Sequence, residues 1–275
     1  MKKLLISLFA LGLFSMPAFS ATWTAADRVN TVGAQLLKKN GLPENTQFKV
    51  VNGAVNNDDA TITNTIQISS TDLTYTGNDN EVAAVIAREL AYIINGRATK
   101  SKMRDFAKSA INNTFSEGNL ITSVANSDYA ANKASMSDNK DADITGADLM
   151  IQANYNPLAS IVVLTKMPGT TMEIALGKPC NSERAMNIYD YLTYNYPSKV
   201  KAGYGCKEYK AFLTYADPIV KERNSNKKKL EKFNKEQEKN RAVRAKNIAQ
   251  YKSTGVSGWD ASYNLLKAFT ESSEK

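Results

Sequence analysis

Arg88, Glu89 and Tyr92 fall within five residues of each other in the run EVAAVIARELAYIIN at 81–95. On a helix the first and last of these share one face, one turn apart, so their side chains can interact, with a carboxylate next to the first. Two further polar groups follow. Asn139, Asp141, Asp143 and Asp148 lie in NKDADITGADLMIQANYNP at 139–157, and Lys178, Pro179 and Arg184 lie in KPCNSERAMNIYDYL at 178–192. The chain contains no histidine. That excludes an imidazole base, a Ser-His-Asp or Cys-His pair and a His-ligated metal within it. No GxSxG string supplies a serine nucleophile either.

The elements that must position these groups can be read from periodicity. Val29, Val32, Leu36 and Leu37 recur at helical spacing between Thr24 and Lys39, with Gly41 just beyond, which predicts an amphipathic N-terminal helix. QFKVV at 47–51 and TITNTIQI at 61–68 are β-branched and partly alternating, and predict two strands joined through the polar stretch GAVNNDD. The run 81–95 predicts the clearest helix, with Asp79 as its cap, Glu81 in its first turn and Gly96 as its stop. Helices are also expected over 100–112, from 140 to 153, after Asn156-Pro157 to about Lys166, and over 182–194. The Ser- and Asn-rich stretch 113–137 reads as a loop. Met136, Met150, Met167 and Met172 are expected to serve packing.

Three segments in order carry a family resemblance. RELAY at 88–92 is similar to the HExxH helix of metallopeptidase family 48, the family of the CAAX prenyl endopeptidases. NKDADITGADLMIQANYNP resembles its second signature, a Glu-x-Glu-Ala-Asp string followed by Gly, and KPCNSER resembles its HPxxxxR segment. In that family two imidazoles at i and i+4 grip a zinc, a Glu between them activates its water, and the first Glu of the second signature is the third ligand. Residue by residue, the resemblance puts Arg88, Tyr92 and Asn139 at the ligand positions and Glu89 at the general-base position. Asp143 and Arg184 are kept, and Lys178 stands where the third segment has histidine. The implied fold is an α+β zincin-like metallopeptidase domain, predominantly helical with a small sheet, spanning 21–216. The implied function is that of an inactive homologue, with no catalytic residue and no metal or cofactor expected, acting by binding a peptide or protein. Arg88 is expected to replace part of the zinc's positive charge and to pair with Glu89, Asp143 or Asp141. The alternative is an active peptidase whose metal is held unconventionally by Glu89, Asp143, Asp141 or a cysteine. For Asp141, Asp143 and Asp148 helix capping and surface charge are the competing reading.

The ends of the chain are distinct in composition. Lys2 and Lys3, an apolar run from Leu4 to Phe14 and Ala18-Phe19-Ser20 read as a signal peptide over 1–20, with export, periplasmic or extracellular, and a mature chain from Ala21. No later run offers the roughly 18 apolar residues of a membrane span. Export predicts a disulfide between Cys180 and Cys206, adding about 3 kcal/mol. Of 35 Lys and Arg against 27 Asp and Glu, twelve basic residues and four Glu fall in 221–252. Region 217–275 is accordingly read as a basic helical extension, suited to an anionic envelope surface and not to nucleic acid, which an exported chain does not meet; use of this extension alone is a third reading of function.

Overall fold

The structure is a computed structural model that describes residues 23–57, 59–95 and 139–253 together with Met136 and Trp259. The leader at 1–20, the stop at Gly96, the helix expected over 100–112, and the loop at 113–137 except Met136 lie outside the described residues. Helices dominate, around one small sheet. Helix α1 (Ala25–Asn40) starts where the Thr24 hydroxyl accepts from the Asp27 amide and ends at Gly41, whose φ of 63° is the left-handed conformation that glycine adopts without strain. Its apolar stripe of Val29, Val32, Leu36 and Leu37 is buried as the spacing requires. A Cβ on Gly33 would lie 2.3 Å from the Phe48 ring, so this glycine is what lets the first strand approach α1.

Strands β1 (Gln47–Val51) and β2 (Thr65–Ser69) pair in parallel, from Gln47 opposite Thr65 to Val51 opposite Ser69. The strand expected over 61–68 is shortened, because Ala60–Thr63 forms a helical turn, α2, that ends at Asn64 with φ 49°. Turn α3 (Ser70–Leu73) leads to α4 (Asp79–Ile94). The cap of α4 is Asn78, whose side chain accepts from the Glu81 amide, and not Asp79; the Asp79 carboxylate instead receives Arg28, at 2.6 and 2.8 Å. Twelve of the sixteen residues of α4 are buried, so it is the central helix rather than a surface one.

Helix α5, described over 139–152, crosses α4 closely: a Cβ on Gly146 would lie 3.3 Å from the backbone of Ala87 and Arg88. Glycine there brings Asp143 beside Arg88. Helices α6 (Ala159–Lys166), α7 (Thr171–Ala175), α8 (Ser182–Asn195), α9 (Pro197–Ala202), α10 (Lys207–Ser225) and α11 (Lys227–Ser253) complete the described chain. One apolar cluster joins α1, the sheet and α4; a second joins α6, α8 and α10; α5 feeds both, with Leu149 and Met150 in the first and Ile144 and Ala147 in the second. Residues 216 and 217 fall inside α10, which continues through Pro218. Helix α11 is fastened at its start: Arg223 lies 3.7 Å over the Phe233 ring, and Tyr194 meets that ring edge-on at 6.0 Å.

Two expectations are corrected. Cys180 and Cys206 are free thiols and form no bridge. The Cys206 sulfur instead caps α10, accepting from the Tyr209 amide at 3.4 Å. Asp148 is not a surface or capping charge: it is buried and accepts from the hydroxyls of Tyr191 at 2.7 Å and Tyr196 at 2.9 Å, which tie α5 to α8 and to the start of α9.

Candidate functional site

The three positions that the resemblance assigns to metal ligands converge. Arg88 and Tyr92 stand one turn apart on α4, and Arg88 Nη2 donates to the Tyr92 hydroxyl at 3.0 Å. That hydroxyl in turn donates to Oδ1 of Asn139, on α5. The Arg88 guanidinium carbon also lies 5.2 Å from the centre of the Tyr92 ring, within reach of its negative face. A cation, a phenol and an amide are thus linked in one chain of contacts between α4 and α5.

Asp143, one turn beyond Asn139 on α5, is 4% exposed. Arg184 of α8 grips it with both donors of one edge, Nη2 to Oδ1 at 2.6 Å and Nε to Oδ2 at 2.8 Å. This planar two-bond pairing is the strongest ion-pair geometry available to a carboxylate. Arg88 Nε comes within 3.9 Å of the same carboxylate and Nη1 within 4.0 Å of Asp72 on α3. Burial works against the Arg88 charge, but Tyr92, Asp143 and Glu89 outweigh it, and the guanidinium binds its proton more tightly than an ordinary arginine. Of the expected partners, Asp143 is met at this longer range. Asp141 sits half-buried on α5.

Glu89 is held by a residue to which no spacing points. Asn57 Nδ2 donates to Glu89 Oε2 at 3.0 Å and to the carbonyl of Gln67 at 3.1 Å, while Asn57 Oδ1 accepts from the Gln67 amide at 2.7 Å. One side-chain amide therefore takes both main-chain groups of the middle residue of β2, as a neighbouring strand would, and links that strand to Glu89. Asp72 is equally absent from the motifs; the sequence signal for both is only a polar residue in a turn. The space behind Arg88, bounded by Asp143, Gly146, Ser160 and Val163, is about 20 Å³, room for one water. A larger groove of about 580 Å³ opens where the third segment meets α10, lined by Lys178, Pro179, Cys180, Glu208, Phe212 and Tyr215 among others.

Arg88 contributes to the fold through these contacts. Arg88→Ala strips the donor from Tyr92 and a positive charge from beside Asp143, and is expected to cost about 1–2 kcal/mol in urea unfolding. A variant as stable as the parent would remove Arg88 from this role. No family profile, curated protein or solved structure matches the chain.

The loop before the third segment is organised by Glu173. Its carboxylate accepts from the amides of Thr170, Asn181 and Ser182 at 3.0, 3.1 and 2.8 Å. Burial pushes this group up, but those N–H donors and the Ser182 hydroxyl outweigh it and hold it below the usual glutamate value. A lowered folded-state value means that the contribution is present above the unfolded value, about pH 4.3, and is lost as pH falls through the folded one. Glu173→Gln is expected to be less stable than the parent at pH 7, and the gap to close as pH falls below the ordinary glutamate range. A gap independent of pH would contradict this assignment.

Proposed function

We propose that this chain is an exported, catalytically inactive homologue of the family 48 zinc metallopeptidases, with a zincin-like domain whose metal site has been overwritten. In this reading it binds extended peptide or protein segments in the cell envelope without cutting them. The observation that carries the reading is the meeting of Arg88, Tyr92 and Asn139, residues from two separate segments that the resemblance alone assigned to one metal. The Asp143–Arg184 pair, which joins the second and third segments, supports the same alignment. A catalytic zinc needs three protein ligands and an open position. An arginine, a phenol and a neutral amide do not fit that need: the arginine repels a cation, the amide is a poor donor to zinc, and the phenol oxygen is already engaged between Arg88 and Asn139. Glu89 then has no acidified water to deprotonate and serves instead as an acceptor for Asn57.

The groove beside Lys178 and Tyr215 has a volume suited to a few side chains of a peptide, with apolar and polar walls. The test uses the untagged mature protein and a library of fluorescent unfolded polypeptides. Zinc titrated by calorimetry is expected to give no stoichiometric binding, and bound polypeptides are expected to be recovered intact. Stoichiometric zinc at sub-micromolar affinity, or cleavage lost in Glu89→Gln, would establish the active-peptidase alternative in its place.

A further inference from the structure

Trp259, 1% exposed, is the largest of the wholly buried side chains among the described residues and belongs to the apolar cluster of α1, the sheet and α4. It comes from the far end of the chain. Before it runs α11, in which no side chain from Lys227 to Ala242 is buried. The start of α11 is fastened elsewhere, through Phe233 to Tyr194 on α8. The C-terminal region is thus attached at two points, one on α8 and one in the first cluster, and is not a free extension.

The second attachment differs from the other buried aromatic contacts in one respect. A buried indole normally gives its N–H to an acceptor, yet Trp259 Nε1 is inaccessible and has no hydrogen-bond partner among the described residues. Tyr191 and Tyr196, by contrast, both place their hydroxyls on Asp148. An unpaired N–H in a dry site cancels part of what burial of the ring gains. The seat of Trp259 therefore selects the shape and apolar surface of a two-ring aromatic group and gives nothing to its donor.

We propose that Trp259 is a releasable latch, and that its seat in the first cluster is a binding site for a two-ring aromatic side chain, filled in cis by the chain's own indole. Chain ends open at lower free energy than central helices such as α4, while the tether holds the ring at high effective concentration. The competing ligand is an aromatic side chain of a second polypeptide, whose entry frees the far end of the C-terminal region. This site is distinct from that of Arg88 and from the groove beside Lys178, and it stands or falls without either.

The chain has two tryptophans, and Trp23 is 39% exposed, so the full mature W23F protein reports Trp259 alone. Its emission is expected to be blue and shielded from acrylamide. In urea it is expected to turn red and become quenchable before far-ultraviolet circular dichroism falls, with an opening constant in water at least about 10-fold larger than that of global unfolding, a difference of about 1.4 kcal/mol. W259A is expected to fold with a lowered melting temperature. Indene, which has the two-ring shape without the N–H, is expected to raise that temperature at least as well as indole does, and neither compound to raise that of the parent, whose seat is filled. The latch is overturned by W23F transitions that coincide, which make Trp259 an ordinary core residue whether or not W259A folds, or by an emission already red in water. The binding site is overturned by a folded W259A that neither compound stabilises, or that indole stabilises and indene does not, since the seat would then recognise the donor.

Discussion

Arg184→Ala is expected to lower the unfolding free energy by about 3–5 kcal/mol, the largest loss from any single substitution at the site. Asp143 is almost wholly inaccessible, and Arg184 supplies its two close bonds, at 2.6 and 2.8 Å. Removing the arginine leaves a buried carboxylate whose next cation, Arg88, stands 3.9 Å away. That distance allows attraction but not a hydrogen bond, so Arg88 offsets part of the loss and the lower end of the range is favoured. Arg184→Lys keeps the charge without the planar fork and should lie between parent and Ala. Because the effect belongs to the stranded carboxylate, Asp143→Asn in the Arg184→Ala background should recover stability. Urea unfolding of the two single variants and the double variant measures this directly. A coupling below about 0.5 kcal/mol would mean that the pair does not hold α5 to α8.

Much of this arrangement is legible in the sequence because periodicity records burial. The stripe Val29, Val32, Leu36, Leu37 predicts both the existence and the inner face of α1, and the nearly unbroken apolar run around Arg88 and Glu89 is what a central helix requires. The grouping of Arg88, Tyr92 and Asn139 follows from helical geometry joined to the family resemblance, and the structure brings those three side chains into contact. Partner choice is far less legible. Asn57 looks like any turn residue; its bonds to Gln67 and Glu89 exist only once β2 and α4 are side by side. Asp148 reads as a surface charge until Tyr191 and Tyr196 arrive over it from a distant part of the chain. The Cys180–Cys206 bridge is expected from compartment, but compartment says nothing of geometry, and Cys206 is used as a helix cap. Met172 carries no sign in the sequence that it is left in water, because exposure is decided by what packs nearby and not by residue type.

The central claim is that Arg88, Tyr92 and Asn139 occupy a former zinc site. It predicts that the site can be rebuilt. Arg88→His, Tyr92→His and Asn139→Glu together place two imidazoles at i and i+4 on α4 and a carboxylate opposite them on α5. The geometry for this is present in the contacts that now run from Arg88 through Tyr92 to Asn139. The most direct measurement is a calorimetric zinc titration of the untagged triple variant beside the parent, with far-ultraviolet circular dichroism to establish that both are folded. The expected result is one zinc per chain with Kd below about 1 μM for the triple variant, at least about 1,000-fold tighter than any binding by the parent, which is a difference of about 4 kcal/mol. A folded triple variant that binds no zinc, or a parent that binds it stoichiometrically, would contradict the account.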